Sequence, residues 1–244
     1  MVKRYNIPPE HQWGMDEKGI EGGGSRSSTP QKHFFGLLEK LCYKLKSDSL
    51  ELTTAIECLN AKGAAMKPSF VHQKGDVGKW WEDDHIGDNG WVSDDICKQW
   101  FKKVFIPEAN NYRVSDAPIV LLVDGHGSHI STSIRQIGFK KRIFIFCHPP
   151  KTTHKTQPLD VGVFNRVQAE WKKICERSAG VESSVSKATT IENYMATRQA
   201  GMQPDIIIDA WRRTGHYPCN TDIFTDMDYA PSKITSTITH LPPS

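Results

Sequence analysis

The chain has 244 residues, of which 38% are hydrophobic and 24% charged, with a formal net charge of +3. This balance excludes wholesale disorder and collagen-like repetition, leaves room for a sizeable core, and does not by itself demand a polyanionic partner. The longest apolar runs, Ile119 to Val123 and Ile143 to Cys147, fall far short of the roughly 18–20 residues a membrane helix needs, as does Ile206 to Ile208, so no membrane span is predicted.

The N-terminus, Met1-Val2-Lys3-Arg4, is not followed by an apolar stretch and does not read as a secretory signal. Six scattered cysteines (Cys42, Cys58, Cys97, Cys147, Cys175, Cys219) contain no C-x-x-C pair, which argues against a zinc finger or a disulfide scaffold and for a reduced, intracellular protein. Charge is unevenly spread: Gln73 to Asp95 balances at −5, and Thr132 to Arg177 at +7.

Within Leu50 to Leu59, the run Leu52 to Ile56 predicts a strand, Asn60-Ala61-Lys62-Gly63 a turn, and Ala64 to His72 an antiparallel return. The cluster Glu82-Asp83-Asp84-His85 with Asp88 reads as an exposed loop, and Trp80, Trp81 and Trp91 as core rather than base-stacking residues. Ser93 caps a helix whose stripe is Ile96, Trp100, Phe101, Val104 and Phe105, with Pro107 as its predicted stop. Five consecutive aliphatics, Ile119 to Val123, predict a strand buried on both faces. Ile143 to Phe146 predicts a second buried strand, and the interval between them fits a right-handed helical crossover between parallel strands. A long helix is predicted from Asp160 to about Arg177, with the stripe Val163, Phe164, Val167, Trp171 and Ile174. After a Ser/Thr/Gly-rich connection from Ser178 to Thr190, another helix runs from Pro204 to about Arg213 and ends at Thr214-Gly215. The tail from Ala230 looks irregular.

Asp124 ends a buried strand, where ligands of open α/β sheets bind. If the next strand is parallel, Cys147-His148 leaves at the same edge, and Asp160 falls in the first turn of the following helix. A third acid, Asp16, stands near the end of a possible N-terminal strand, although Asp16-Glu17-Lys18-Gly19 also suits an ordinary turn. Converging aspartates repel unless a divalent cation offsets their charge, and hard oxygen ligands suit Mg²⁺. Lys140, Lys141, Arg142, Lys151, Lys155, Arg166, Lys172 and Lys173 supply a candidate phosphate-facing surface. Lys172 and Lys173 read rather as a solvated helix face, and His126, His129 and His154, each taken alone, rather as structural hydrogen-bonders.

Leu121 to His129 and Pro149 to Phe164, taken in that order, resemble the DDE superfamily endonuclease domain of pogo/mariner-type transposases, especially fungal copies. Tyr5 to Pro9 and Met15 to Gly19 are similar to the stretch that carries the family's first catalytic aspartate; Gly90-Trp91, Trp100-Phe101 and Trp211 to Pro218 also fit. Ile20-Glu21-Gly22-Gly23-Gly24 departs from the pattern, with Glu21 where the family has an apolar residue.

The resemblance implies an α/β, RNase H-like three-layer fold, a central mixed sheet with helices on both faces. It implies residues 1–229 as the catalytic domain, with C-terminal helices from about 187 and an irregular tail at 230–244. Asp16, Asp124 and Asp160 would be catalytic and bind two Mg²⁺ or Mn²⁺; Lys151, His154, Lys155 and Arg166 would meet nucleic acid; and His126, His129 and Gln157 would assist. The implied function is DNA cleavage and strand transfer in the nucleus, with DNA as partner and a homodimer allowed, and with neither a membrane nor an organic cofactor involved. Beginning fifteen residues before Asp16, the chain is expected to lack the family's helix-turn-helix modules. The alternative is an inactive, truncated or domesticated copy that still binds nucleic acid.

Overall fold

The computed structural model describes residues 1–21, 52–73, 85–87, 93–178 and 187–229. Most of the acidic stretch, the three tryptophans Trp80, Trp81 and Trp91, the Gly22-Gly23-Gly24 run, most of the Ser178 to Thr190 connection and the tail from Ala230 lie outside them.

Among the described residues, six strands form one mixed sheet in the order β4-β3-β2-β1-β5-β6. Strand β1 (Gln12–Glu21) pairs antiparallel with β2 (Leu52–Asn60), and β2 pairs antiparallel with β3 (Ser69–Gln73). On the other side β1 runs parallel to β5 (Ile119–Val123), and β5 to β6 (Ile143–Cys147). The short β4 (His85–Gly87) adds a parallel edge beside β3, so His85 belongs to a strand rather than the expected loop. The turn at Asn60 is real: its side chain accepts hydrogen bonds from the backbone N–H groups of Lys62 and Ala64, and Gly63 takes φ +99°.

Side chains alternate between two cores because strand residues point to opposite faces every second position. Trp13, Met15, Cys58, Leu121 and Val123 pack on one face against Ile96, Trp100, Phe101, Phe105 and Ile134. Ile20, Ala55, Leu59 and Phe70 pack on the other against Leu159, Val163, Phe164, Trp171, Tyr194 and Trp211. Burying each large apolar side chain contributes about 1.5–3 kcal/mol. The first helical layer holds α1 (Asp94–Trp100), α2 (Ile106–Asn111) and the crossover helix α3 (Thr132–Lys140). The second holds α5 (Phe164–Ser178), α6 (Lys187–Gly201) and α7 (Pro204–Arg213). This is the RNase H-like, three-layer α/β arrangement.

Ser93 caps α1 as predicted, its hydroxyl accepting from Ile96 N–H at 3.4 Å. Pro107 does not stop the helix. Phe101–Phe105 forms a wider π turn, and Ile106 N–H bonds to Phe101 O, so the proline's missing donor falls at the start of α2, where none is required. The sequence expectation for β6 also needs correction. β6 is the sheet edge: Ile143 is buried, Phe144 and Ile145 are half-buried, and Phe146 is 41% exposed.

Candidate active site

The sheet register explains how the first two aspartates meet. Gln12, Trp13 and Gly14 pair with Val120, Leu121 and Leu122, so two residues further on Asp16 comes level with Asp124. Asp16 sits within β1, opposite Glu57 of β2, and not in a turn at a strand end. Val123 pairs with Cys147, and His148 N–H donates to Val123 O at 2.9 Å, so the chain leaves β6 at the same edge. It then forms the short α4 (Thr153–Thr156) and the π turn Leu159–Val163, which carries Asp160 into α5. Gln157 fastens this connection to β1, its buried Nε2 donating to Met15 O at 3.3 Å.

The three carboxylates feel one another. Burial, with the charges of Asp160 and Asp124, pushes the Asp16 carboxyl up to about 8 against the hydrogen bond from Glu17 N–H. Burial also raises Asp160, opposed by a hydrogen bond from Thr153 and by the charges of Lys18 and His154. Burial would raise Asp124 as well, but His129 and the backbone N–H of His126 hold it below the usual carboxylate range. His129 is 4% exposed and bridges two acids, with Nδ1 on Asp124 and Nε2 on Glu17 Oε1 at 2.8 Å. Although burial disfavours its charge, those two carboxylates push its pKa up to about 9.

Lys18, Glu17 and Thr153 were not singled out from the sequence. Lys18 is two residues from Asp16 on the same strand face, and its ammonium lies 5.5 Å from the Phe164 ring centre. Burial lowers its pKa against the pull of Asp160 and Asp16. The period-two pattern of β1 marks Lys18 once the strand is known to continue through Asp16; nothing local marks Glu17 or Thr153.

The basic residues divide. His154 is exposed beside Asp160, and Lys151 is exposed in the left-handed region at φ +61°. Lys155 pairs with Asp228 at 2.7 Å, while Arg166 is exposed on α5 and acts on Asp209 of α7. Lys140, Lys141 and Arg142 lie at the start of β6, the end of the sheet away from Asp124, so they do not flank the aspartates as expected. Lys172 and Lys173 lie on an exposed face of α5, and Lys173 pairs with Glu170 at 2.6 Å.

The donor set fits a hard divalent cation: three carboxylates from three elements, one of them left without a compensating cation strong enough to keep it ionised at neutral pH. Among the described residues, however, no three His, Cys, Asp or Glu side chains are gathered at ligand spacing.

Residues 49–211, two thirds of the chain, match the DDE superfamily endonuclease family. The chain belongs to that family. Asp124 and Asp160 of this DDE endonuclease domain lie inside the matched span, and Asp16 lies before it. In fold the domain is similar to the Mos1 strand transfer complex (TM-score 0.51, 11% identity, 88% of this chain and 55% of that one). It is equally similar to the catalytic domain of Mos1 mariner transposase (TM-score 0.50, 11% identity, 87% and 80%). A structure of that catalytic domain with raltegravir and Mn gives the same TM-score, covering 87% and 82%. The domain is also 26% identical over 234 residues to a protein of Cochliobolus lunatus named MFS-type transporter clz9, covering 90% of this chain but only 24% of that protein. No helix among the described residues is long and apolar enough to cross a membrane. The chain thus spans about a quarter of that relative and about half of the chain in the Mos1 strand transfer complex.

Proposed function

We propose that this domain is a metal-dependent DNA endonuclease and strand-transfer unit in which Asp16, Asp124 and Asp160 hold Mg²⁺ or Mn²⁺, two ions in the full site. The observation that carries the reading is the convergence of three aspartates from β1, the end of β5 and the turn before α5, with the Asp16 carboxyl raised to about 8 by burial and by the other two. That charge is stabilised when a dication enters. The ions, when bound, supply charge neutralisation and polarisation of a phosphodiester and its attacking oxygen.

The chain's own residues orient the ligands. His129 fixes the Asp124 carboxylate from one side, while Thr153 hydrogen-bonds Asp160 and Gln157 ties the Asp160 segment to β1. Lys18 contributes a positive charge beside Asp16 and Asp160. Lys151, His154, Lys155 and Arg166 approach the DNA backbone, and His126 and His129 border the same edge. In this reading residues 1–229 form the catalytic unit, it acts on DNA in the nucleus, and a homodimer brings two ends together. The Mos1 complexes named as a strand transfer complex and as a paired-end complex with a transposon end lend support to DNA as the partner.

A second reading has two observations in its favour: His129 engages Asp124, and among the described residues three donors are not gathered at ligand spacing. It is a copy that binds nucleic acid without turnover. Nicking of supercoiled plasmid in Mg²⁺ or Mn²⁺ separates the two. The endonuclease reading expects nicking by the wild type that Asp16→Ala, Asp124→Ala and Asp160→Ala each abolish. An inert wild type that still retains DNA establishes the second reading.

A further inference from the structure

Beside the aspartates, the segment that follows α7 lies against the connection leading to Asp160, and the two border an open cleft of about 600 Å³. Its lining gathers basic side chains from two separate elements, His154 and Lys155 of α4 with Arg212 and Arg213 at the end of α7, and adds one aromatic ring, Phe224. Val161, the neighbour of Asp160, forms part of the same wall. Helix α7 reaches this position because residue 162 is glycine. A Cβ there would lie 2.7 Å from the Arg213 guanidinium and 2.9 Å from Ala210 Cβ.

Cations crowded in one cleft repel unless an anion joins them, and here a carboxylate holds Lys155. Asp228 Oδ1 accepts from Lys155 Nζ at 2.7 Å, while its Oδ2 accepts from the backbone N–H and hydroxyl of Thr225 at 2.8 and 2.9 Å. Arg212 and Arg213 each meet Asp209, at 2.5 and 2.9 Å, contacts that use only part of a guanidinium's five N–H donors. Both arginines are exposed, so their remaining donors can turn to a ligand.

The geometry points to a nucleotide subsite: the cleft takes one nucleotide of the strand bound at the aspartates, its phosphate on Lys155 and Arg213 in place of the Asp228 carboxylate and its base against Phe224. This deepens the endonuclease reading and rests on it for the identity of the strand. Lysine and arginine are the side chains suited to phosphate, and an aromatic face accepts any base. The volume lies within the roughly 300–1,000 Å³ range of small-ligand sites. A bare anion would need the cations alone. The ring beside them, and Val161 in the wall next in sequence to Asp160, favour a nucleotide of the bound strand.

Fluorescence anisotropy in EDTA, with a 5′-phosphorylated oligothymidylate labelled at its 3′ end, reads this subsite without any chemistry. Lys155→Gln and Arg213→Gln should each weaken binding several-fold and flatten the log-affinity against log-salt slope by about 0.7. Phe224→Ala should weaken binding about tenfold at an unchanged slope. Asp228→Asn should tighten it, because the competing carboxylate is gone. Thymidine 5′-monophosphate should compete only in large excess. Circular dichroism confirms that each variant is folded.

Affinities within twofold of wild type for Lys155→Gln and Phe224→Ala overturn the subsite, as does weakened binding in Asp228→Asn. So does equal binding of heparin that ignores Phe224→Ala, the mark of a general polyanion surface. Competition by the mononucleotide at near-equal concentration would make the ligand a free nucleotide and overturn the strand assignment. The two readings fail separately. Nicking lost in Asp124→Ala, with oligonucleotide binding untouched by the cleft variants, leaves the endonuclease and removes the subsite. An inert wild type whose binding follows the cleft variants does the reverse.

Discussion

Asp16 and Glu57 face each other directly across the β1–β2 ladder, on the same side of the sheet, and only one of them has its charge answered by the protein. Glu57 is fully buried and receives Arg198 Nε at 2.8 and 3.1 Å and the Tyr194 hydroxyl at 2.9 Å. Asp16 is hydrogen-bonded by Glu17 N–H and feels the charges of Asp160, Asp124 and Glu17, which the nearby Lys18 does not offset. Like charges placed opposite one another destabilise a sheet, so the uncompensated member is costly in the absence of a cation. Asp16→Asn should therefore stabilise the metal-free protein by about 1–2 kcal/mol while abolishing nicking. Thermal melts with and without Mn²⁺ check this: the wild type should gain stability on adding the ion, and Asp16→Asn should gain none. A variant less stable than wild type in EDTA would contradict it.

The compensated member gives a prediction of the opposite sign. Arg198 of α6 also donates to Met66 O, so this one side chain ties the helix to β2 and to the segment after it. Arg198→Met leaves a buried carboxylate without its cation and should cost about 3–5 kcal/mol in urea unfolding. Glu57→Gln added to that variant should return a large part of the loss, because the stranded charge is gone. A double variant no more stable than Arg198→Met would show that packing, not charge, holds α6.

Asp124 and Asp160 were legible in the sequence because their surroundings are local: a five-residue aliphatic strand before one, a helix stripe after the other. The crossover and the β2–β3 return could be read for the same reason. Asp16 was ambiguous, since Asp-Glu-Lys-Gly is good turn chemistry; nine cross-strand pairs to β2 override that preference. The His129 bridge to Glu17 spans 112 residues and the Arg198 contact to Glu57 spans 141, so neither has a local signature. The edge position of β6 was equally hidden, because an apolar run looks the same at the centre of a sheet as at its rim. Lys155 shows the limit from the other direction. Its place in an active-edge loop was readable, but its partner, Asp228, comes from a segment whose return over α4 is set by tertiary packing alone.

The turn that carries Asp160 depends on close approach to α7. With Ala210 Cβ 2.9 Å and the Arg213 guanidinium 2.7 Å from a Cβ at position 162, Gly162→Ala must push α7 outward. Overpacking of this kind costs about 1–3 kcal/mol. Because Asp160 lies two residues away, nicking should fall by more than the loss of folded protein explains. Activity normalised to the folded fraction, from parallel melts and plasmid assays, is the measurement. Equal losses in both would mean that the turn absorbs the methyl group without moving Asp160.

His148 gives the fold a built-in acid sensitivity. It is 5% exposed, its Nε2 finds no hydrogen-bond partner among the described residues, and its ring centre lies 5.4 Å from that of His216. Burial and the neighbouring His216 push its pKa down from 6.5 to about 3, against the pull of Asp124. His216 is lowered too, by burial, against its hydrogen bond to Thr156 O at 2.8 Å. The unfolded chain therefore binds a proton at His148 that the folded chain refuses. The stability associated with the neutral ring is complete above about pH 7 and is lost as pH falls toward 3. At pH 5 the loss from this histidine alone is about 2 kcal/mol. Urea unfolding at pH 7 and pH 5 should show that drop in the wild type, and His148→Leu, which removes an unpartnered polar atom, should retain stability at pH 7 and lose less on acidification. An unchanged pH 7 to pH 5 difference in His148→Leu would assign the acid sensitivity to other groups, with His216 the next to substitute.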